Sequence, residues 1–136
     1  MNLIVTPLYA GLLALWFILL SVRVIRIRGA EKVFLGDGGN MRVTRIIRAQ
    51  ANFAEYVPLA LIMMAMLELT HHSIYLLHFF GIVLLIARLL HGYAFSFSQH
   101  FMFGRVAGAS LTFLVIGIEA VLCIYQAIIG HMLWVR

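Results

Sequence analysis

The first 22 residues of the chain carry no charged side chain. A helix needs about 20 mostly apolar residues to cross the hydrocarbon core of a bilayer, so this run is long enough to form one. The whole chain is also rich in apolar residues and poor in charge, since 64% of its residues are hydrophobic and 11% are charged. Soluble domains contain roughly 45–50% apolar and about 25% charged residues, and disordered chains are poorer still in apolar residues. The sequence therefore predicts an all-α integral membrane protein.

Three further apolar stretches follow, separated by short polar segments. The glycine, aspartate and asparagine residues at 36–40 are typical of a turn, and polar residues also interrupt the apolar pattern at 68–73 and 96–100. We expect a single domain over residues 1–136, folded as a four-helix transmembrane bundle. The predicted helices span residues 2–28, 43–69, 73–95 and 104–133.

The positive charges predict the orientation of the helices. Seven of the ten basic residues surround the first connection, and they are Arg23, Arg26, Arg28, Lys32, Arg42, Arg45 and Arg48. Arg88 and Arg105 flank the third connection, which an even number of crossings places on the same side. Because cytoplasmic loops are enriched in Lys and Arg, we expect loops 29–42 and 96–104 in the cytoplasm and both termini on the opposite side. The net charge of +5 then reflects membrane topology, and we expect no nucleic-acid partner.

The predicted second helix carries a stripe of polar side chains where it enters the membrane. At about 100° per residue, five of them fall within roughly 100° of the helix circumference, and they are Arg45, Arg48, Asn52, Glu55 and Tyr56. Ionisable side chains at membrane depth are costly and usually face a bundle interior or a cavity. Two interpretations stay open. In one, the arginines bind lipid phosphates and Arg48 pairs with Glu55; in the other, the stripe binds a ligand.

A ligand of this stripe has to complement two guanidinium groups, an amide and a carboxylate. Arginines hold carboxylates in a bidentate geometry, and a carboxylate binds an ammonium group. The complement is a zwitterionic ligand with several carboxylates. That description fits a peptide such as glutathione, and it also fits many anionic amphiphiles.

The same segment resembles a known family. The pattern RxxRAQxNxxEYxP at residues 45–58 is similar to the helix-2 signature of the MAPEG family, the membrane-associated proteins in eicosanoid and glutathione metabolism. The resemblance extends to the basic first loop, to the segment ARLLHGY at residues 87–93, and to Arg105, an arginine that opens helix 4. The GDGG segment at residues 36–39 resembles a bacterial branch of the family, which implies the bacterial inner membrane and periplasmic termini.

The resemblance implies a MAPEG-like homotrimer that lies among membrane lipids and binds glutathione between neighbouring protomers. By correspondence of position, the residues that contact glutathione are Arg28, Arg48, Gln50, Asn52, Glu55, Tyr56, His91 and Tyr93. Arg105 corresponds to an arginine that stabilises the glutathione thiolate, and it is the candidate catalytic residue. The implied activity is that of a membrane-bound glutathione transferase, alone or together with peroxidase activity towards lipid hydroperoxides.

The residues themselves are consistent with this chemistry. A free thiol has a pKa of about 8.5 and is mostly protonated at neutral pH, whereas a neighbouring guanidinium favours the nucleophilic thiolate. The thiolate would attack a lipophilic electrophile that arrives through the bilayer, with glutathione as the co-substrate. Two alternatives stay open: Arg105 is only an anchor that reaches lipid phosphates, or the chain is a non-catalytic ligand-binding or scaffold protein of the same fold.

The histidines and the single cysteine favour no metal site. Six histidines raise the alternative of a haem with two axial imidazoles, but the pattern places them at different depths. Cys123 alone forms neither an intramolecular disulfide nor a cysteine-rich zinc site, so we expect no metal. Glu119, within the predicted fourth helix, is costly in lipid, and the sequence leaves open whether it pairs with another protomer or holds a proton.

Overall fold

The computed structural model describes residues 3–98 and 100–134, and these residues form four long helices. The helices span Val5–Ala30 (α1), Met41–Leu69 (α2), Ile74–Ser96 (α3) and Met102–Trp134 (α4). Each is long and apolar enough to cross a membrane, so the prediction of an all-helical chain with four long apolar helices is confirmed. The predicted start of helix 1 at residue 2, residue 99 of the third loop and the position of both chain ends lie outside the described residues.

The four helices pack as a bundle in which α3 contacts all three others and α4 contacts α2 and α3. The middle of the bundle is filled by apolar side chains of the first three helices, including Leu13, Phe53 and Leu84. Large apolar side chains also cover the outside, where Leu15 and Ile25 are 67% and 70% exposed. An apolar exterior suits a protein whose surrounding solvent is lipid.

The polar loop between α1 and α2 is held by its own side chains. Asn40 caps the start of α2, because its side-chain oxygen accepts hydrogen bonds from the backbone N–H groups of Arg42 and Val43. The Asp37 carboxylate accepts hydrogen bonds from the backbone N–H of Gly39 and from the Thr44 hydroxyl, both at 3.0 Å. These two donors hold the pKa of Asp37 below its usual value.

At the opposite end of the bundle, Glu68 joins the end of α2 to the start of α1. Its carboxylate accepts hydrogen bonds from the backbone N–H groups of Ile4, Val5 and Thr6, the last at 2.8 Å. The first N–H groups of a helix have no partner within that helix. Glu68 supplies the partner and so fixes α1 against α2.

Helices α3 and α4 approach each other closely at Gly108. A methyl group placed on this glycine would lie 2.6 Å from the Ala87 carbonyl oxygen and 2.7 Å from His91 Cβ. These are atoms of the α3 backbone and its first side-chain carbon, which move only if the two helices separate. The small residue therefore permits the contact, as small residues do between membrane helices.

We expect Gly108→Ala to lower the free energy of unfolding by about 1–3 kcal/mol, the usual cost of overpacking. The matched control is Gly117→Ala in the same helix, because a methyl group there has no neighbour within 4 Å. Alanine is the better helix former, so the control is expected to gain up to about 1 kcal/mol. Unfolding of both variants in detergent, followed by circular dichroism, measures the difference. Equal stabilities would contradict a close contact at Gly108.

Candidate functional site

Arg88 lies at the centre of the polar interior of the bundle. Its side chain is only 1% exposed, and it belongs to α3 well before the end of that helix at Ser96. One guanidinium nitrogen, Nη2, donates to Asn52 Oδ1 at 2.9 Å and lies 3.2 Å from His91 Nδ1. The other, Nη1, donates to the Thr112 hydroxyl at 3.4 Å. Arg88 thus connects α3 to both α2 and α4.

The sequence interpretation placed Arg88 beside the third connection and assigned it no role at the site. The structure places it inside the bundle instead. The positive-inside rule counts charges along the chain and does not distinguish an arginine at the lipid boundary from one that turns inwards. One feature of the sequence could have indicated this inward position. Arg88 and His91 are three residues apart, which puts both side chains on one face of α3.

The contacts of Arg88 determine which hydrogen bonds its neighbours still offer. A guanidinium has only donors, so His91 Nδ1 accepts, and in the neutral ring the proton lies on Nε2. The Asn52 carbonyl oxygen is also occupied by Arg88, which leaves the Asn52 amide hydrogens to donate. Arg88 therefore turns both Asn52 and His91 into donors.

The positive charge of Arg88 has no acidic partner in the part of the chain that the structure describes. Its guanidinium lies 5.6 Å from the centre of the Phe53 ring, and its Nε is buried with no hydrogen-bond partner. A buried charge without a counter-charge is costly. An anionic ligand close to this cluster would reduce that cost.

Next to this cluster is a groove that contains Arg105, and we call it the Arg105 groove. Its volume is about 360 Å³, and it is lined by His91, Phe95, Met102, Arg105, Val106, Ala109, Ser110 and Phe113. Arg105 lies in the first turn of α4, with its guanidinium carbon 4.3 Å from the centre of the Phe95 ring. The start of a helix carries a partial positive charge, so Arg105 and the helix end both favour an anion in the groove.

Three of the predicted site residues come together on the side of the bundle that holds Arg105. His91 lines the groove, and Asn52 is linked to His91 through Arg88. Tyr56 packs edge-on against Phe113, another lining residue, with ring centres 5.2 Å apart.

Arg48 and Glu55 are exposed on the same helix, and Gln50 is half-buried. Within residues 3–98 and 100–134, no salt bridge joins Arg48 to Glu55. The interpretation in which these two side chains neutralise each other is therefore not supported. Both side chains remain exposed on the surface of α2.

Arg28 and Tyr93 lie elsewhere in the chain, away from the Arg105 groove. Arg28 Nη2 donates to the Phe34 carbonyl oxygen at 2.7 Å, and this contact holds the loop that follows α1. Tyr93 is 51% exposed and stacks on Phe97, with ring centres 5.7 Å apart. Neither residue lines the Arg105 groove, so a single chain does not bring all the predicted site residues together.

Glu119 lies in α4 and is completely buried. Neither carboxyl oxygen has a hydrogen-bond partner among the described residues. Both oxygens are enclosed within the bundle of a single chain, which does not favour an ion pair with another protomer.

The chain is similar to known proteins along most of its length. The family model described as "MAPEG family" matches residues 6–125. The inner membrane protein YecN of Escherichia coli (strain K12) is 36% identical over 131 residues, which cover 96% of this chain and 94% of the relative. YecN of Escherichia coli O6:H1 (strain CFT073) matches with the same identity and coverage.

Proposed function

The chain belongs to the MAPEG family, and on that basis we propose that it is a glutathione transferase of the bacterial inner membrane. Its similarity to YecN, whose name describes an inner membrane protein, supports the location. The clustered arginines support an orientation in which loops 29–42 and 96–104 are cytoplasmic and both termini periplasmic. Glutathione then reaches the site from the cytoplasm, where the polar ends of the helices lie.

The observation that carries this proposal is the buried cation of Arg88 beside the Arg105 groove. Glutathione has two carboxylates and a thiol, so its ionised form suits a site rich in donors and positive charge. Asn52, His91 and Arg105 supply such groups, and no acidic side chain lines the groove in the described part of the chain. The groove volume of about 360 Å³ falls within the usual range for ligand pockets, about 300–1,000 Å³.

The proposed reaction is nucleophilic attack by the glutathione thiolate. Arg105 and the start of α4 stabilise the negative sulfur, so the thiol proton is released to water before the attack. The sulfur electron pair then forms a bond to the electrophilic carbon of a lipophilic substrate, and a leaving group departs or a double bond accepts the electron pair. The apolar lining residues Val106, Ala109 and Phe113 are suited to the lipophilic partner.

We also propose that the protein is a homotrimer with glutathione between protomers. Arg28 and Tyr93 lie away from the Arg105 groove in one subunit, and a ligand bound between subunits would meet one set of residues from each. Native mass spectrometry from detergent measures the oligomeric state. A monomer at working concentrations would overturn this part of the proposal.

Titration calorimetry of the purified protein with glutathione tests the site. We expect Arg48→Gln to weaken binding about tenfold, the value of one lost charge-assisted hydrogen bond. Lys32→Gln is the matched control, because it removes one positive charge from an exposed loop position that is not part of the polar stripe of α2. Absence of binding at millimolar glutathione would overturn the proposal. Binding without the ultraviolet absorbance of a thiolate would instead identify a non-catalytic ligand-binding protein.

A further inference from the structure

A second polar cavity lies where α3 ends, and we call it the arginine cavity. Its volume is about 260 Å³, and it is lined by Arg23, Arg42, Arg45, Ile46, Phe95, Ser96, Phe97 and Ser98. The three arginines come from α1 and α2, and most of the remaining wall comes from the end of α3 and the two residues that follow it. Phe95 is the one lining residue that this cavity shares with the Arg105 groove.

Part of the arginine cavity has a structural explanation. Arg23 Nε and Nη2 donate to the Ser96 carbonyl oxygen at 2.9 and 2.7 Å, and Arg45 Nη2 donates to the carbonyl oxygens of Ala94 and Ser98. The last carbonyl groups of a helix have no partner within it, so these arginines cap the end of α3.

Capping leaves much of the donor capacity of the arginines unused. Each guanidinium has five N–H groups, and the contacts to α3 use two nitrogens of Arg23 and one of Arg45. Arg45 Nε is buried and has no hydrogen-bond partner among the described residues. A buried donor without a partner is costly, and a ligand oxygen in the cavity would satisfy it.

The charge balance also favours an anionic ligand in the arginine cavity. Three arginines line the cavity, and their positive charge is opposed by the partial negative charge of a helix end, about half a unit, and by one carboxylate. That carboxylate is Glu31, which accepts from Arg42 Nη1 at 3.0 Å. Subtracting these from the three positive charges leaves a surplus of roughly one and a half charges. No acidic residue lines the arginine cavity in the described part of the chain.

We propose that the arginine cavity binds a phosphate group, which is a second anion site separate from the Arg105 groove. A tetrahedral phosphate accepts hydrogen bonds from several directions, which suits arginines that reach it from two different helices. Basic pockets between membrane helices on the cytoplasmic side bind lipid head groups in this way. The phosphate belongs either to an acidic phospholipid or to a free phosphate ion, which share this chemistry.

Two binding measurements on the protein distinguish an acidic phospholipid from a free phosphate ion as the source of the phosphate group. In the first, inorganic phosphate is titrated into lipid-free protein in non-ionic detergent. In the second, native mass spectrometry counts phosphatidylglycerol and phosphatidylcholine molecules retained from mixed nanodiscs. Binding of inorganic phosphate supports a free anion. Selective retention of phosphatidylglycerol without binding of inorganic phosphate supports a lipid head group.

The variants identify the site. We expect Arg42→Gln and Arg45→Gln each to weaken binding about tenfold, while Lys32→Gln, which removes the same charge from the neighbouring loop, leaves it unchanged. Arg42 contacts Glu31 and does not cap α3, so Arg42→Gln keeps the test valid if Arg45→Gln loosens the helix end. Glutathione binding is expected to stay unchanged in Arg42→Gln. Equal binding of both probes by Arg42→Gln and Lys32→Gln, or no binding of either probe by the wild type, would overturn the proposal.

Discussion

Replacing Arg105 by alanine is expected to slow conjugation of glutathione about 10²–10³-fold, the usual effect of removing one group that stabilises developing charge. Arg105 lies in the first turn of α4 and lines the groove together with His91. Without its guanidinium, the partial charge of the helix end alone favours the thiolate. The thiol of bound glutathione would then remain mostly protonated at neutral pH.

The rate of conjugation with a lipophilic aryl halide and the ultraviolet absorbance of the bound thiolate measure this effect. Arg105→Lys is the matched variant, because it retains a positive charge but loses the planar fork. We expect it to retain more thiolate than Arg105→Ala. If Arg105→Ala forms as much thiolate as the wild type, Arg105 is an anchor at the membrane surface.

Replacing Arg88 by methionine is expected to weaken ligand binding while the protein stays folded. The substitution removes a buried cation that has no acidic partner among the described residues. Replacing a whole buried ion pair by apolar residues of similar volume is often neutral, or stabilising by about 1–4 kcal/mol, and removal of Arg88 likewise leaves no opposite charge behind. The fold should therefore persist, although Asn52 and His91 lose the contact that orients them.

Glutathione affinity is expected to fall about 10–100-fold in Arg88→Met, because small misplacements of binding groups are costly. Calorimetry measures the affinity, and thermal unfolding of the same sample measures the stability. Thr112→Val is a useful comparison, since it removes one partner of Arg88 and leaves the guanidinium in place. Unchanged glutathione affinity in a folded Arg88→Met protein would show that Arg88 has no part in the site.

The helices could be predicted because the length of an apolar run is visible in the sequence. The ends of the helices depend on capping side chains, which are harder to recognise in a sequence than an apolar run. Helix 2 was expected from residue 43, but it begins at Met41 because the side chain of Asn40 accepts two of its first N–H groups. The distinction between an asparagine in a turn and one that caps a helix depends on the backbone that follows it.

The candidate site was only partly predictable for a different reason. The spacing along α2 placed Arg48, Asn52, Glu55 and Tyr56 near one another, since helical periodicity alone decides that. The inward position of Arg88 depends on which face of α3 meets α2 and α4, which is a tertiary property. The capping of α3 by Arg23 and Arg45 likewise joins residues that are distant in sequence, and no local pattern indicates it.

The contact between Glu68 and the start of α1 sets an order for the biogenesis of the protein. Ile4 and Glu68 are 64 positions apart, so the ribosome makes Glu68 long after the whole of α1. Before Glu68 is in place, water is the available partner of the first N–H groups of α1. The start of α1 therefore gains its protein partner only once α2 is in place, and the hairpin of α1 and α2 is the smallest part of the chain that contains both sides of this contact.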